Sequence, residues 1–378
     1  MTRGSHSWSI AIAGSLAQGA TRGGHCWMFG QWFLGLRRLG FDVFFVDYED
    51  DDTPLSEEER QRLGAVLRTF GMEDSYSLLS PGGATAGRSR EDALAAVSSS
   101  RLLVNVMGFL RDEELLAAAP RRVFLDIDPG YGQMWRELGL ADVLDGHDDF
   151  VTIGERIGHE ACGVPSAGVQ WLTTRQPVVL DQWPCSTGGA SWTTVATWRG
   201  PWGPLEYCGE TYGSRVHEFR ALASLPRATG LRNELALDIH AGDSPDIELL
   251  RAGGWMLVDP ARVAWDPDSY RAFVRRSRAE LCVAQSMYVK TRSGWFSDRS
   301  ACYLASGKPV LAQDTGFSDT LPTGDGLLAF TTVGEAIAGI EEIERDYERH
   351  SAAARELAET YFDSDKVLGN LLAELGVA

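Results

Sequence analysis

The stretch Tyr288–Asp319, YVKTRSGWFSDRSACYLASGKPVLAQDTGFSD, decides how the chain is read. It predicts a strand at Tyr288-Val289, a glycine-containing turn, a helix, a second strand and a polar loop. Ser297 is placed to cap the helix and Asp298 suits its first turn, where the N–H groups are unpaired and the dipole end is positive. Ala301, Cys302, Leu304 and Ala305 give that helix an apolar face, and Ser306-Gly307 ends it. Pro309-Val310-Leu311-Ala312 reads as a short buried strand stopping at Asp314-Thr315-Gly316. Helix starts bind phosphate through their free N–H groups. Lys290, Arg292 and Arg299 gather around this one in a chain of formal net charge -18. That concentration of positive charge marks a candidate anion site.

The beginning of the chain sets the fold class. Ser9–Ala13 predicts a strand, followed by the glycine-rich loop Gly14–Gly24. From His25 onward, Trp27, Met28, Trp32, Phe33, Leu36 and Leu39 recur at helical spacing until Gly40. Phe41–Val46 is then a second strand, apolar except for Asp42, and it ends at Asp47. Strand, loop, helix and strand make a parallel unit, so the fold class is α/β. The loop holds only Gly19-x-x-x-Gly23-Gly24 in place of a GxGxxG triplet. This disfavours NAD, although Asp47 stands where dinucleotide-binding folds carry their ribose acid.

Further strands are predicted at Leu102–Met107, Val123–Ile127 and Phe150–Ile153. The second runs into Asp126-Ile127-Asp128-Pro129-Gly130-Tyr131, at the carboxyl edge where open α/β sheets take ligands. There Asp128 either positions an acceptor hydroxyl or shapes the Pro-Gly turn. The acidic run Glu49–Asp52 reads as a solvated loop, and Gly154-Glu155 as the start of a helix carrying His159 and Cys162. Pro177–Gly189, with two prolines and Ser-Thr-Gly-Gly, reads as a linker. Beyond it come a strand at Trp192–Trp198, a Gly/Pro/Tyr-rich loop to Ser214, a helix at Arg215–Leu225 and a strand at Glu234–Ile239. A helix at Asp246–Gly253, a strand at Trp255–Val258, a basic helix at Ser269–Glu280 and a strand at Leu281–Ala284 lead into the opening stretch. After Val333 the chain is largely helical. The organisation predicted is two α/β domains, 1–182 and 190–355, with 356–378 as a terminal helix.

At 378 residues the chain accommodates two cores of ordinary size, and 44% hydrophobic with 23% charged residues is a soluble globular composition. The net negative charge excludes nucleic acid and anionic membranes as partners, since both require a basic face. Cys26, Cys162, Cys185, Cys208, Cys282 and Cys302 show no CxxC spacing, so no metal site is read and the thiols fit a reducing compartment. No signal peptide is seen before the first strand, and no apolar run reaches about 18 residues. A cytoplasmic protein is expected.

The run SGKPVLAQDTG after a helix resembles the donor half of GT-B glycosyltransferases, where ACGxPV precedes a loop facing the sugar nucleotide. Ser297-x-Arg299 followed by YLASGKPVL is similar to their spore-protein branch. The resemblance implies two Rossmann-like domains facing a cleft, with the last helix crossing back to the first, a role suited to Tyr361-Phe362 and Leu368–Leu375. It implies a nucleotide-diphosphate sugar as co-substrate and no cofactor or metal. The donor would lie on Lys290, Arg292, Ser293, Gly294, Ser297, Asp298, Arg299, Ser300, Asp314, Thr315 and Gly316.

A small-molecule acceptor would face Gly19, Gly23 and Gly24. The placement Gly23-Gly24-His25 is similar to cell-wall N-acetylglucosaminyltransferases and implies His25 as base, oriented by Asp126 or Asp128, with Asp128 the next candidate. Many retaining members carry two glutamates eight residues apart before the GxPV turn; here those positions are Gly294 and Cys302, so the retaining mechanism does not carry over. Only three of the 35 basic residues are lysines, a bias that suggests a GC-rich genome and a specialised metabolite as acceptor. An epimerase of the same architecture and a non-catalytic binding protein are the competing expectations.

Overall fold

Ile10–Ala13, the sequence IAIA, is wholly buried, the pattern of a parallel strand covered on both faces. In the computed structural model, which describes residues 8–49, 54–200, 202–213 and 215–377, this strand is central to the first of two sheets. Its strands are β1 Ser9–Gly14, β2 Asp42–Tyr48, β3 Tyr76–Ser80, β4 Gly83–Gly87, β5 Leu103–Val106, β6 Arg122–Asp126, β7 Asp149–Thr152 and β8 Trp171–Thr173. Their order is β4-β3-β2-β1-β5-β6-β7-β8, all parallel except that β4 runs antiparallel to β3. The order reverses direction between β1 and β5.

The second half begins with β9 Trp192–Thr197 and a two-stranded hairpin, β10 Leu205–Tyr207 and β11 Glu210–Tyr212. It continues with β12 Asn233–Asp238, β13 Met256–Val258, β14 Ala279–Cys282, β15 Val310–Gln313 and β16 Leu327–Phe330. The main sheet is parallel throughout in the order β13-β12-β9-β14-β15-β16, reversing between β9 and β14. Two Rossmann-like α/β units therefore follow one another, as the sequence predicts.

The last helix, Ser364–Glu374, returns to the first unit and packs on helix Gly23–Arg38. Gly35 permits the contact, because a Cβ there would lie 2.5 Å from Leu368 Cδ1. The crossing follows an unbroken helix Tyr347–Tyr361 and is pinned to the linker: Val178 N–H donates to Phe362 O (2.7 Å) and Ser364 N–H to Val178 O (2.9 Å).

Several local expectations are overturned. Tyr288-Val289 lies in a helix, Ser286–Thr291, because the chain leaves the sheet at Cys282. The basic helix stops at Arg276, and Ala279 and Glu280 enter β14, where they register with Trp192 and Thr193. Arg215–Leu225 divides into Val216–Ala221 and Leu225–Thr229, the second with Pro226 in its first turn. Residues 154–162 form turns; His159 Nδ1 there accepts from Ala161 N–H at 3.2 Å. Of the acidic run, residues 50–52 lie outside the described residues. Glu49 is buried and paired with Arg60 at 3.1 Å, which corrects its reading as solvated.

Asp47 is fully used within its own unit. Its carboxylate accepts from Ala17 N–H (2.6 Å) and Tyr48 N–H (2.8 Å), so it organises the loop after β1 and is not presented to a ribose. Burial pushes its pKa up to about 7. A carboxyl raised above its unfolded value of about 3.9 stabilises the fold most when protonated, and that contribution is lost as pH rises from about 4 to about 7. The wild-type protein is therefore expected to lose stability relative to Asp47→Asn across that window in urea titrations. A pH-independent difference between the two would mean that Asp47 ionises normally.

Candidate active site at the domain cleft

In open parallel sheets, ligands sit beyond the carboxyl ends of strands where the order reverses. In the second unit that position is lined by the segment after β9, containing Trp202, the hairpin and Arg215, and by the segment after β14, running to Tyr288. From the first unit, the turn after β6 brings Asp128 into the same space. Tyr288 donates its phenol hydrogen to Asp128 Oδ1, and Gln285 Nε2 donates to the Tyr288 oxygen at 3.1 Å. Trp202 packs on the first unit, 4.8 Å from Trp135 and 6.5 Å from Tyr131 between ring centroids.

Asp128 is half-buried, and burial together with the neighbouring Asp126 charge pushes its pKa up to about 7, against the opposing influence of Arg215 and the Trp202 side chain. Asp126 is held at about 6, raised by burial and restrained by hydrogen bonds from Thr152 (2.8 Å) and Gln133 (2.6 Å). Arg215 is lowered to about 10 by burial and by Arg299. Among the described residues Arg215 forms no ion pair. Tyr131, 1% exposed, has a hydroxyl without a hydrogen-bond partner. A carboxyl near neutrality, an unneutralised guanidinium and an unsatisfied phenol thus share one cleft. Such groups suit proton transfer beside a developing anion.

Most of the predicted donor residues are occupied otherwise. Arg299, in the helix Asp298–Ala305, turns its side chain onto the sheet: it pairs with Glu280 and donates to Val195 O at 2.9 Å. A buried carboxylate on β14 thus holds the guanidinium that the sequence reading offers to an anion. Ser297 does cap the helix Asp298–Ala305, its Oγ accepting from Arg299 N–H, and Asp298 lies beside it. Ser300 is buried in the same turn.

Lys290 clasps the hairpin through Thr211 O (2.8 Å) and Glu210 (3.4 Å), and Arg292 lies 3.6 Å from both Asp314 and Asp319. Ser293, Gly294, Thr315 and Gly316 are packed on the first unit or on each other. Arg156 N–H donates to Ser293 O and Gly294 N–H to Thr315 O, and a Cβ on Gly316 would meet Arg156 Nη1 at 2.7 Å. Asp314 closes its own turn through Gly316 N–H and Ser318. Cys302, at a position where retaining members carry glutamate, touches Gln31 of the first unit at 3.7 Å.

The glycine loop also has a packing role. Gly23 N–H donates to Ala264 O, and a Cβ on Gly23 or Gly24 would press on Tyr270. Gly19 lies under the His25 ring. His25 Nε2 bonds Ser15 O at 3.1 Å; a carbonyl only accepts, so Nε2 carries the proton and Nδ1 is the basic nitrogen. Burial lowers its pKa. The ring is oriented by Ser15 O, not by Asp126 or Asp128 as the sequence suggested. Sequence reasoning missed Arg215, Tyr131, Trp202 and Tyr288. Arg215 had a usable signal: it ends the glycine-rich loop after the first strand of a parallel unit.

No family model matches the chain, and no curated protein sequence does. Solved structures do. Anabaena Alr3699/HepE in complex with UDP and glucose superposes with a TM-score of 0.62 at 9% identity, over 98% of this chain and 100% of that one. The fold is GT-B. The pneumococcal O-GlcNAc transferase GtfA in complex with UDP and GlcNAc gives 0.57 at 9% identity, over 98% and 99%. Sucrose-phosphate synthase from Thermosynechococcus elongatus gives 0.57 at 12%, over 97% and 99%. Among the described residues no helix is long and apolar enough to cross a membrane, and no three His, Cys, Asp or Glu side chains are grouped to hold a metal ion.

Proposed function

We propose that the chain is a metal-independent glycosyltransferase of the cytoplasm, moving a sugar from a nucleotide diphosphate to a hydroxyl of a small molecule, with a specialised metabolite the preferred acceptor class. The presence of Asp128 and Arg215, which forms no ion pair among the described residues, in the one cleft carries this reading, and the GT-B fold supports it. The second unit holds the nucleotide sugar and the first the acceptor. Asp128 takes the acceptor hydroxyl proton, the oxygen bonds to the anomeric carbon, and the bond from that carbon to the diphosphate breaks. The electron pair leaves with the diphosphate, whose charge Arg215 meets. A carboxylate base acting on the acceptor gives inversion at the anomeric carbon.

Nucleoside diphosphates are the first test. UDP, dTDP and GDP are added separately in the presence of a chelator. The cognate one at about 100 times its dissociation constant is expected to stabilise the fold by about 2.7 kcal/mol. Arg215→Gln weakens that binding by about 1.5–3 kcal/mol, the scale of a charge-assisted hydrogen bond, with little effect on folding. A melting temperature unmoved by all three would overturn the donor assignment.

A further inference from the structure

Tyr131 opens the helix Tyr131–Glu137, which follows the turn carrying Asp128. Its place is fixed from both sides of the cleft. Gly130 N–H donates to Gln133 Oε1 at 2.8 Å and Gln133 Nε2 to Asp126 at 2.6 Å, which ties the helix start to the end of β6. The Tyr131 ring packs on Trp135, 5.7 Å away between centroids, and on Trp202 of the second unit at 6.5 Å. The Trp202 side chain also bears on the Asp128 carboxyl, so phenol and carboxyl border the same indole.

The residue is 1% exposed, yet no protein group bonds its hydroxyl. A buried polar group left so is costly, and in a cleft it marks where a ligand atom belongs. Burial and the Asp128 charge push the phenol pKa up to about 12, so the hydroxyl keeps its hydrogen at neutral pH and is a donor. Tyr288 engages one oxygen of Asp128, and the carboxylate retains further lone pairs that can take a proton. A hydrogen-bond donor and a proton acceptor therefore stand side by side without a bond between them.

We propose that Tyr131 selects the acceptor by its attacking element: the phenol donates to an acceptor oxygen whose own hydrogen points to Asp128, so the cleft takes alcohols and phenols and rejects amines. This rests on the reading of Asp128 as base. A hydroxyl oxygen carries two lone pairs. One accepts the Tyr131 hydrogen, and the other attacks the anomeric carbon as the hydroxyl proton passes to Asp128. The bond from that carbon to the diphosphate breaks, and its electron pair leaves with the diphosphate. A neutral amine has a single lone pair. Bonded to Tyr131 it cannot attack, and turned to the anomeric carbon it leaves the buried phenol unpaired, which is how a polar site rejects a near-isostere.

Tyr131→Phe keeps the ring on Trp135 and Trp202 and removes only the hydroxyl. The test uses the full-length protein with UDP-glucose, dTDP-glucose or GDP-mannose, according to which diphosphate stabilises the fold. Transfer is followed to phenol, to aniline of nearly the same shape, and to water, which is present throughout. The wild type is expected to favour phenol over aniline by about tenfold or more. The variant should lose about five- to tenfold in kcat/KM on phenol and water, the worth of one neutral hydrogen bond, and nothing on aniline. Its nucleoside diphosphate affinity and melting temperature should stay at wild type. A phenol-to-aniline ratio equal in the two proteins overturns the proposal. Where water alone reacts, hydrolysis by the variant at the wild-type rate overturns it too. So does a variant melting well below wild type, because the hydroxyl then serves the fold. Asp128→Asn separates the two layers. If it keeps wild-type turnover, the base assignment fails and the selection falls with it. If it is inactive while Tyr131→Phe keeps the wild-type preference, only the selection falls.

Discussion

Asp128→Asn is expected to lower turnover by about 10²–10⁴, the contribution of a general base, while leaving nucleoside diphosphate affinity intact. The amide keeps the size of the side chain and its place at the Tyr288 hydroxyl, so the fold and the cleft persist. What it loses is the capacity to take a proton. With the carboxyl at about 7, the wild-type rate should fall as pH drops through neutrality, because the protonated form is inert, and this limb should disappear in the variant. His25→Ala is the matched control. Its proton affinity is lowered by burial and its ring is tied to Ser15 O, so its loss should cost less turnover than the loss of Asp128. Steady-state kinetics across pH, read beside calorimetric nucleotide affinity, decide between them. A His25→Ala enzyme as impaired as Asp128→Asn would assign the base to the imidazole.

Arg299→Ala is expected to destabilise the fold by about 3–5 kcal/mol, the cost of leaving a buried charge without its partner. Glu280 is 0% exposed and the Arg299 side chain 12%. Removing the guanidinium strands the carboxylate between β9 and β15, and also frees Val195 O. Against a typical stability of about 5–15 kcal/mol, this is a large fraction. Urea denaturation should show a much earlier midpoint, and Arg299→Leu with Glu280→Leu should recover most of the loss, because no buried charge then remains. A stable Arg299→Ala protein with weakened nucleotide binding would return Arg299 to the anion-binding role that its position at a helix start suggests.

The two cases show where sequence reading stops. Both concern charged residues in recognisable places, a carboxylate after a strand and an arginine after a helix cap. For Asp128 the place just after β6 was legible, because the end of a parallel strand is fixed by the apolar run before it. For Arg299 the partner was not legible, because Glu280 was assigned to a helix and lies instead in β14. An ion pair between residues nineteen positions apart leaves no periodic mark in the sequence. The pairing of Lys290 and Arg292 was illegible for the same reason, since Glu210, Asp314 and Asp319 reach them only in the folded chain.

By itself the sequence determined the α/β class, the returning C-terminal helix and the cap at Ser297. Each is written in local terms: unbroken apolar runs, glycine and proline punctuation, leucines at helical spacing, a hydroxyl before a helix. Only the tertiary structure decided which charges remain available. Pairing is a matter of distance across the cleft and between strands, and burial sets each group's proton affinity. Among the described residues Arg215 forms no ion pair, Asp128 is left near neutrality, and Tyr288 is brought to it from the other unit because the turn after β6 meets the helix after β14.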